Sequence, residues 1–364
     1  MLRWAEVHLD RLLNNYREVE RLARGKGIFA VVKANAYGHG SLEVAKFLEE
    51  RTSVYGFAVA TYREGAELLA GGVGRPILVM SSTVEEGREF LRELPLTPVV
   101  YDFNELSLAK ELDVPFHVKV DTGMGRLGFL KDEWDELLTE LQGSKVEGVM
   151  THFCCADEGE AFTLEQFNEF KEFVAELLRR VNRPLAVHAE NSAALPLGLN
   201  GLLTHCRVGL ALYGSKPFPS YPARLKQVME VKARVLSVKE LPAGHPVSYS
   251  ATYRPVNRER VAVVAFGYAD GYPRELSNRG KLLLGDKLCR IRGRVCMDMV
   301  VASAPKGVKK GDVAVLFGEA ITFDDVAQEC GTIPYELMCR VSQRVERVYS
   351  GLQGADLSGS KRGV

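Results

Sequence analysis

No stretch of this 364-residue chain is long and apolar enough to cross a bilayer. The opening Met1-Leu2-Arg3-Trp4-Ala5-Glu6-Val7-His8 also lacks the apolar centre of a signal peptide. Neither sign of charge is in excess. Forty-seven Lys and Arg balance forty-seven Asp and Glu, so the bulk charge attracts neither nucleic acid nor an anionic membrane. Cysteine is sparse and unpatterned: there are seven, and the only close pair is the adjacent Cys154-Cys155. An odd number without metal-ligand spacing fits a reducing cytoplasm better than a disulfide framework, and no metal site is expected. The composition therefore predicts a soluble cytoplasmic protein. Its length suits two domains, and 46% hydrophobic residues suffice for a core.

What is present is an alternation. Short apolar runs recur at Ile28–Lys33, Val54–Val59, Pro76–Met80, Thr97–Tyr101, Phe116–Val120, Val146–Thr151, Leu185–His188 and His205–Val208. Amphipathic stretches separate most of them, such as Leu42, Ala45, Phe47 and Leu48, or Phe167, Phe170, Phe173, Val174 and Leu177. Eight strands alternating with helices over about 210 residues predict an N-terminal (β/α)8 TIM-type barrel at 10–222. A doubly wound sheet is the rival, but no G-x-G-x-x-G follows the first run. Beyond Tyr221-Pro222 the pattern changes. Val228–Val238, Val261–Phe266, Lys287–Val301 and Gly311–Phe317 are valine-rich, partly alternating and divided by turns. They predict a mostly β C-terminal domain at 223–364, with helices near Asp324–Glu329 and Tyr335–Arg340. The alternating Trp4–Leu9 is expected to add a strand to it, so that residues 1–9 belong with that domain. The polar Gly351–Val364 is expected to fray.

In such a barrel, chemistry gathers at the carboxyl ends of the strands, and phosphate sites at the last two loops. Lys33 closes the first run, and a lysine there is either paired or a nucleophile able to form a Schiff base. Lys119, Asp121 and Arg126 end or follow the fifth run, and His152 the sixth. His188, Asn191 and Ser192 end the seventh, Arg207 and Gly209 the eighth. Each has an ordinary account: a paired lysine, a satisfied strand-end histidine, a helix N-cap at Ser192, a tight turn at Gly209, an ion-pair arginine, a packed Tyr249. Together they are harder to dismiss. An aldehyde-condensing lysine facing a phosphate cradle suggests pyridoxal 5′-phosphate. An arginine at its ring nitrogen would leave that nitrogen unprotonated and favour brief proton removal and return.

The residues then resemble the alanine racemase family along almost the whole chain. Ala30-Val31-Val32-Lys33-Ala34-Asn35-Ala36-Tyr37-Gly38-His39-Gly40 is similar to its cofactor-lysine motif. Asp121–Gly128, Thr151-His152-Phe153, Asn191-Ser192-Ala193, Arg207–Gly214, Val247-Ser248-Tyr249, Gly267–Tyr272 and Cys296-Met297-Asp298 follow in the family's order. The resemblance implies interconversion of L- and D-alanine, supplying D-alanine for peptidoglycan, by a head-to-tail homodimer with shared active sites. It makes Lys33 one proton base and Tyr249, from the partner, the other. It gives the phosphate to Tyr37, Ser192 and the backbone at Gly209 and Leu210, beside Asn191. It sets Arg207 at the ring nitrogen with His188 behind it, and directs His152 towards Tyr249. Arg126 would meet the cofactor's phenolic oxygen and the substrate carboxylate. Met297 and Asp298 would contact substrate, Tyr268 would narrow the entrance, and Lys119 would carry a carbamate.

Three positions depart from the family pattern. Gln343 stands where some members have a phosphate-binding tyrosine, Ser250 where glycine is usual, and Glu190 where a small residue is common. Glu190 near a phosphate would repel it unless it points away. The alternatives are a racemase of broader small-amino-acid specificity, a decarboxylase of basic amino acids and a non-catalytic carrier of pyridoxal phosphate. Arg207 argues against the decarboxylase, because those families place a carboxylate at the ring nitrogen. The whole β domain argues against the carrier.

Overall fold

The computed structural model describes residues 1–199 and 201–351; most of the glycine-bearing tail from Gly351 onward lies outside them. The chain divides into two compact units, one of residues 15–225 and the other of 1–14 with 226–364.

Strand β1 (Arg3–His8) belongs to the second unit. The first unit is a closed barrel of eight parallel strands, each pairing with the next in sequence. They are β2 (Gly27–Val31), β3 (Gly56–Val59), β4 (Ile77–Val79), β5 (Leu96–Val100), β6 (Phe116–Lys119), β7 (Val146–Met150), β8 (Ala186–His188) and β9 (His205–Val208). The ring closes by β2 against β9, with Phe29 opposite Arg207. All eight lie on the predicted runs, and they are buried almost throughout because helices cover the outside of a parallel barrel. The longest of these helices, Glu160–Arg180, buries Phe167, Phe170, Phe173, Val174 and Leu177, the predicted stripe. Glu160 in its first turn and Arg179 and Arg180 in its last complement the helix dipole.

The barrel interior is not wholly apolar. Phe29 of β2 packs between the rings of His188, at 5.5 Å, and His117, at 6.1 Å. Gly148 on β7 makes room, since a Cβ there would lie 2.6 Å from His117 Nδ1. Outside the strands, Glu190 turns to Lys26, Oε2 to Nζ at 2.6 Å, with 0% and 8% of their side chains exposed.

In the second unit, β10 (Met229–Leu241) pairs with β1, with β11 (Glu259–Val264) and with β15 (Val313–Phe317). Met229, Val231, Ala233 and Val235 are buried in alternation, the period-two signature of a sheet with one face covered. Two findings differ from the sequence reading. Lys287–Val301 is not one strand but β13 (Lys287–Arg290) and β14 (Val300–Ser303), separated by a loop, with β12 (Lys281–Leu284) paired to β13. A further strand, β16 (Glu346–Ser350), lies parallel to β1. The unpredicted loop is the part that carries Cys296-Met297-Asp298. Helices Phe323–Cys330 and Pro334–Arg340 fall where expected. Among the described residues one cluster has metal-like spacing, Glu6, His8 and Glu230. Lys232 already bridges its carboxylates, at 2.5 and 3.0 Å, and Arg11 reaches Glu230 at 2.9 Å. It is an ion-pair staple across β1 and β10.

The Lys26–Glu190 pair should dominate the barrel's response to single substitutions. Lys26→Met leaves a buried carboxylate without its cation, and costs about 3–5 kcal/mol on unfolding. The double variant Lys26→Met with Glu190→Gln should recover most of that loss in a thermal or urea titration.

Candidate active site

Lys33 stands two residues past the end of β2, at the start of an unusual turn. Ala34, Asn35, Ala36 and Tyr37 all have φ between 51° and 55°, one turn of left-handed backbone. Each such residue costs roughly 1–2 kcal/mol, so the surroundings must impose it. They do so by hydrogen bonds. Glu64 Oε1 accepts from Ala34 N at 2.7 Å, and its Oε2 accepts from Ala60 N and Thr61 N. Asn35 Oδ1 accepts from Ser41 N, and Gly38 N donates to Ala34 O. Glu64 is also the third-position residue of the Thr61 capping box, so one carboxylate both starts a helix and clamps the lysine turn.

Arg207 lies across the barrel mouth, 4% exposed. Its Nη1 donates to His188 Nδ1 at 2.7 Å and to His188 O at 3.0 Å. Its Nη2 donates to Thr151 O at 2.8 Å and reaches His152 Nδ1 at 3.2 Å. Because a guanidinium only donates, these contacts fix the tautomers of both imidazoles. His188 must accept at Nδ1 and carry its proton on Nε2, from which it donates to His117 Nδ1 at 2.8 Å. His152 likewise keeps its proton on Nε2. Burial, then the Arg207 charge, holds His152 down at about 3 and His188 well below the usual range. His117 is drawn to about 3 by burial, with smaller effects of His205 and Arg207. The three rings are neutral spacers around a cation. Burial draws the Arg207 guanidinium to about 10, which still leaves it charged at neutral pH.

Arg126 sits on an exposed loop whose shape is set by one carboxylate. Asp121 Oδ1 accepts from the backbone of Gly123, Met124 and Gly125 at 2.7–3.1 Å, and Oδ2 from Arg126 N at 2.9 Å. Burial pushes the Asp121 carboxyl up, but these four donors outweigh it and hold it below the ordinary value. Lys119, at the end of β6, is drawn to about 8 by burial and then by the charges of Arg126 and Arg207.

At the last two loops, Tyr37 Oη reaches the backbone of Gly209 so closely that a Cβ there would lie 2.5 Å from it. Ser192 does not cap a helix: its Oγ accepts from Ala211 N at 3.3 Å. Asn191 Oδ1 takes these backbone donors instead, accepting from Ala193 N and Ala194 N in an Asx turn. Tyr37, Ser192, Gly209 and Leu210 thus form one small cradle. Glu190 points away from it, to Lys26. In the second unit, Tyr249 is 71% exposed on a short turn beside a hollow of about 450 Å3 lined by Ser248, Cys296, Met297, Asp298 and Met299. Tyr268 N and Ala269 N donate to Cys296 O and Met297 O, tying Tyr268 to that loop. Asp298 pairs with Arg344 at 2.6 Å, and Gln343 is exposed. Ser250 has φ 59°, the region glycine occupies without strain, which is the physical reason glycine suits that position.

The structure therefore collects Lys33, Tyr37, Lys119, Arg126, His152, His188, Asn191, Ser192, Arg207, Gly209 and Leu210 around the carboxyl end of one barrel. It groups Tyr249, Tyr268, Met297 and Asp298 in the other unit. Sequence reasoning missed His117 and Glu64. His117 lies two residues before Lys119 on β6, hence on the same face, and Glu64 ends a Thr-x-x-Glu capping box; both signals were available.

Residues 7–217 match the alanine racemase N-terminal domain and residues 228–349 its C-terminal domain. The chain belongs to the alanine racemase family. It is 41% identical to the alanine racemase of Aquifex pyrophilus, over 94% of this chain and 97% of that one. The solved alanine racemase of Clostridium difficile superposes with a TM-score of 0.90 at 34% identity, covering 96% of each chain. One from Bartonella henselae, with covalently bound pyridoxal phosphate, gives 0.88 at 27%, over 96% of this chain and 100% of that one.

The neutral histidines have a consequence for stability. In the unfolded chain a histidine takes up its proton near ~6.5, whereas His117 and His152 do so only near about 3 in the fold. Their contribution is complete above the unfolded value and is lost as pH falls towards the folded one. Resistance to urea should fall from pH 7 to 5, and His117→Gln should lower the proton uptake on unfolding at the acid end of that window by about one proton.

Proposed function

We propose that the chain interconverts L- and D-alanine with pyridoxal 5′-phosphate held at the barrel mouth, as a homodimer in which each second unit completes the partner's site. The observation that carries this reading is the buried Arg207, locked by His188 and Thr151 so that its remaining edge can only donate. The residues fit the cofactor. A reactive lysine stands opposite a cradle in which Gly209 leaves the space a side chain would fill. Pyridoxal phosphate, bound through its aldehyde, supplies an electron sink that makes the α-hydrogen of an amino acid acidic.

The chain's own groups do the rest. Tyr37, Ser192 and the backbone at Gly209 and Leu210 would bind the phosphate, and Arg207 would donate to the ring nitrogen and leave it unprotonated. That weaker sink favours returning a proton over losing carbon dioxide. Arg126 would pin the substrate carboxylate, its loop braced on Asp121. Lys33 Nζ would take or return the proton on one face and the partner's Tyr249 phenol on the other, since one base cannot serve both faces. His152, neutral and with its proton on Nε2, would hydrogen-bond towards that phenol. Met297 and Asp298 would meet the substrate, with Tyr268 narrowing the way in. The exposure of Tyr249 supports assembly, because a proton base in open water lacks the dry site in which it works. Among the described residues no helix is long and apolar enough to cross a membrane, consistent with a cytoplasmic enzyme feeding D-alanine to peptidoglycan.

Lys119 supports a further part of this reading. With its ammonium drawn down to about 8, roughly a tenth is free amine at pH 7, far more than for an ordinary lysine, and can add carbon dioxide, losing one proton to form a carbamate beside Arg126. Carbon-13 bicarbonate should therefore give a carbamate signal that Lys119→Arg abolishes. For the central reaction, incubation in deuterated water should exchange the α-hydrogen of alanine without releasing carbon dioxide. Tyr249→Phe should slow exchange from L-alanine far more than from D-alanine. Equal losses in the two directions would refute the division of labour between Tyr249 and Lys33.

A further inference from the structure

The loop after β7 carries a feature that the racemisation chemistry does not use. Cys154 and Cys155 are the only cysteines adjacent in the chain, and their sulfurs lie 3.2 Å apart. Both are half-buried. They lie two and three residues after His152, and Gln166 of the long helix fastens this loop. Its Nε2 donates to His152 O at 3.2 Å, and its Oε1 accepts from Cys154 N at 3.1 Å. Cys154 Sγ also lies 3.7 Å from Gly123 O, in the loop that ends at Arg126.

We propose that Cys154 and Cys155 form a chelating site for trivalent arsenic, taken up as the neutral oxyacid or an organic arsenoxide, and that its occupation slows the enzyme. Two sulfurs already in contact have little orientation left to lose, so the second bond forms at high effective concentration. Closing the pair directly on itself is less favourable. Adjacent residues hold their Cα atoms about 3.8 Å apart, whereas disulfides ordinarily span about 4.4–6.8 Å. An inserted atom relieves that strain. The charge balance points the same way. Burial, then the hydrogen bond with Cys155, pushes the Cys154 thiol up to about 11, so the site disfavours a thiolate and the divalent cations that need one.

Arsenous acid asks for no thiolate. Two S–H and two As–O bonds break, two As–S bonds form, and two waters leave. Arsenic stays trivalent, so no oxidant is consumed, and the product is uncharged. The chelate would stiffen the loop between His152 and the Gly123 carbonyl, and with it the approach of Arg126 to substrate. This effect on turnover rests on the racemase reading; the binding does not.

The test uses the full-length, cofactor-loaded enzyme and sodium arsenite. After free arsenite is removed, one arsenic per chain should remain, released by a dithiol and not by an equal concentration of a monothiol. Cys154→Ser and Cys155→Ser should each weaken retention on the order of 10²-fold, and Cys339→Ser should not. Racemisation by the unsubstituted enzyme should fall in step with occupancy, while Cys155→Ser stays active in arsenite. Retention unchanged in the two serine variants, or full occupancy with unimpaired turnover, would overturn the proposal. A protein that never racemises, even without arsenite, would instead overturn the functional reading.

Discussion

The site is organised around a single buried cation. Moving a guanidinium out of water is costly unless its donors are satisfied, and Arg207 meets that condition with three carbonyl oxygens and two imidazole nitrogens. Everything nearby follows from its inability to accept a proton. His188 and His152 must turn acceptor nitrogens to it, their opposite nitrogens become donors, and His117 is required to accept from His188. A lysine would not serve, because its point charge lacks the planar fork that reaches both sides at once. The histidine-lined interior, which looks wasteful in a barrel usually filled with aliphatic side chains, is the support of this one charge.

The second constraint is backbone strain at the lysine. Four consecutive left-handed residues are held by Glu64, Asn35 and the turn's own carbonyls. The same turn that lifts Lys33 past the end of β2 brings Tyr37 Oη to Gly209, on the opposite side of the β2–β9 seam. One turn therefore sets both the lysine and the tyrosine of the cradle. Such local conflict between propensity and structure is stored where chemistry requires fixed geometry.

These two devices differ in how far the sequence reveals them. The barrel was legible because its strands are buried on both faces and read as apolar runs, and the helix between β7 and β8 because its phenylalanines recur at helical spacing. The rim residues were legible because a parallel barrel sends every strand's carboxyl end to one side. The left-handed turn was not legible: Ala-Asn-Ala-Tyr contains no glycine, and part of what imposes its geometry is the remote Glu64. The same is true of Ser192, whose N-cap appearance gave way when Asn191 took the backbone donors. In the β unit, β12 and β16 escaped notice because Lys281–Leu284 and Glu346–Ser350 are short, charged edge or near-edge strands without alternation. Lys287–Val301 looked like one strand because Ile291 and Val295 carry apolar residues into the loop between β13 and β14.

Charge gives the last step. The barrel mouth assembles Lys33, Lys119, Arg126 and Arg207, and the nearby Asp121, whose charge favours the Lys119 ammonium, offsets them only in part. Repulsion among these cations is what draws Lys119 down after burial. Anions that complete such a cluster relieve that repulsion. In the reading proposed above three would do so: a phosphate at the Tyr37–Gly209 cradle, a substrate carboxylate at Arg126, and a carbamate on Lys119. A phosphate answered by neutral donors and a carboxylate answered by arginine need no compensating side-chain acid, so the mouth can stay cationic until it is loaded.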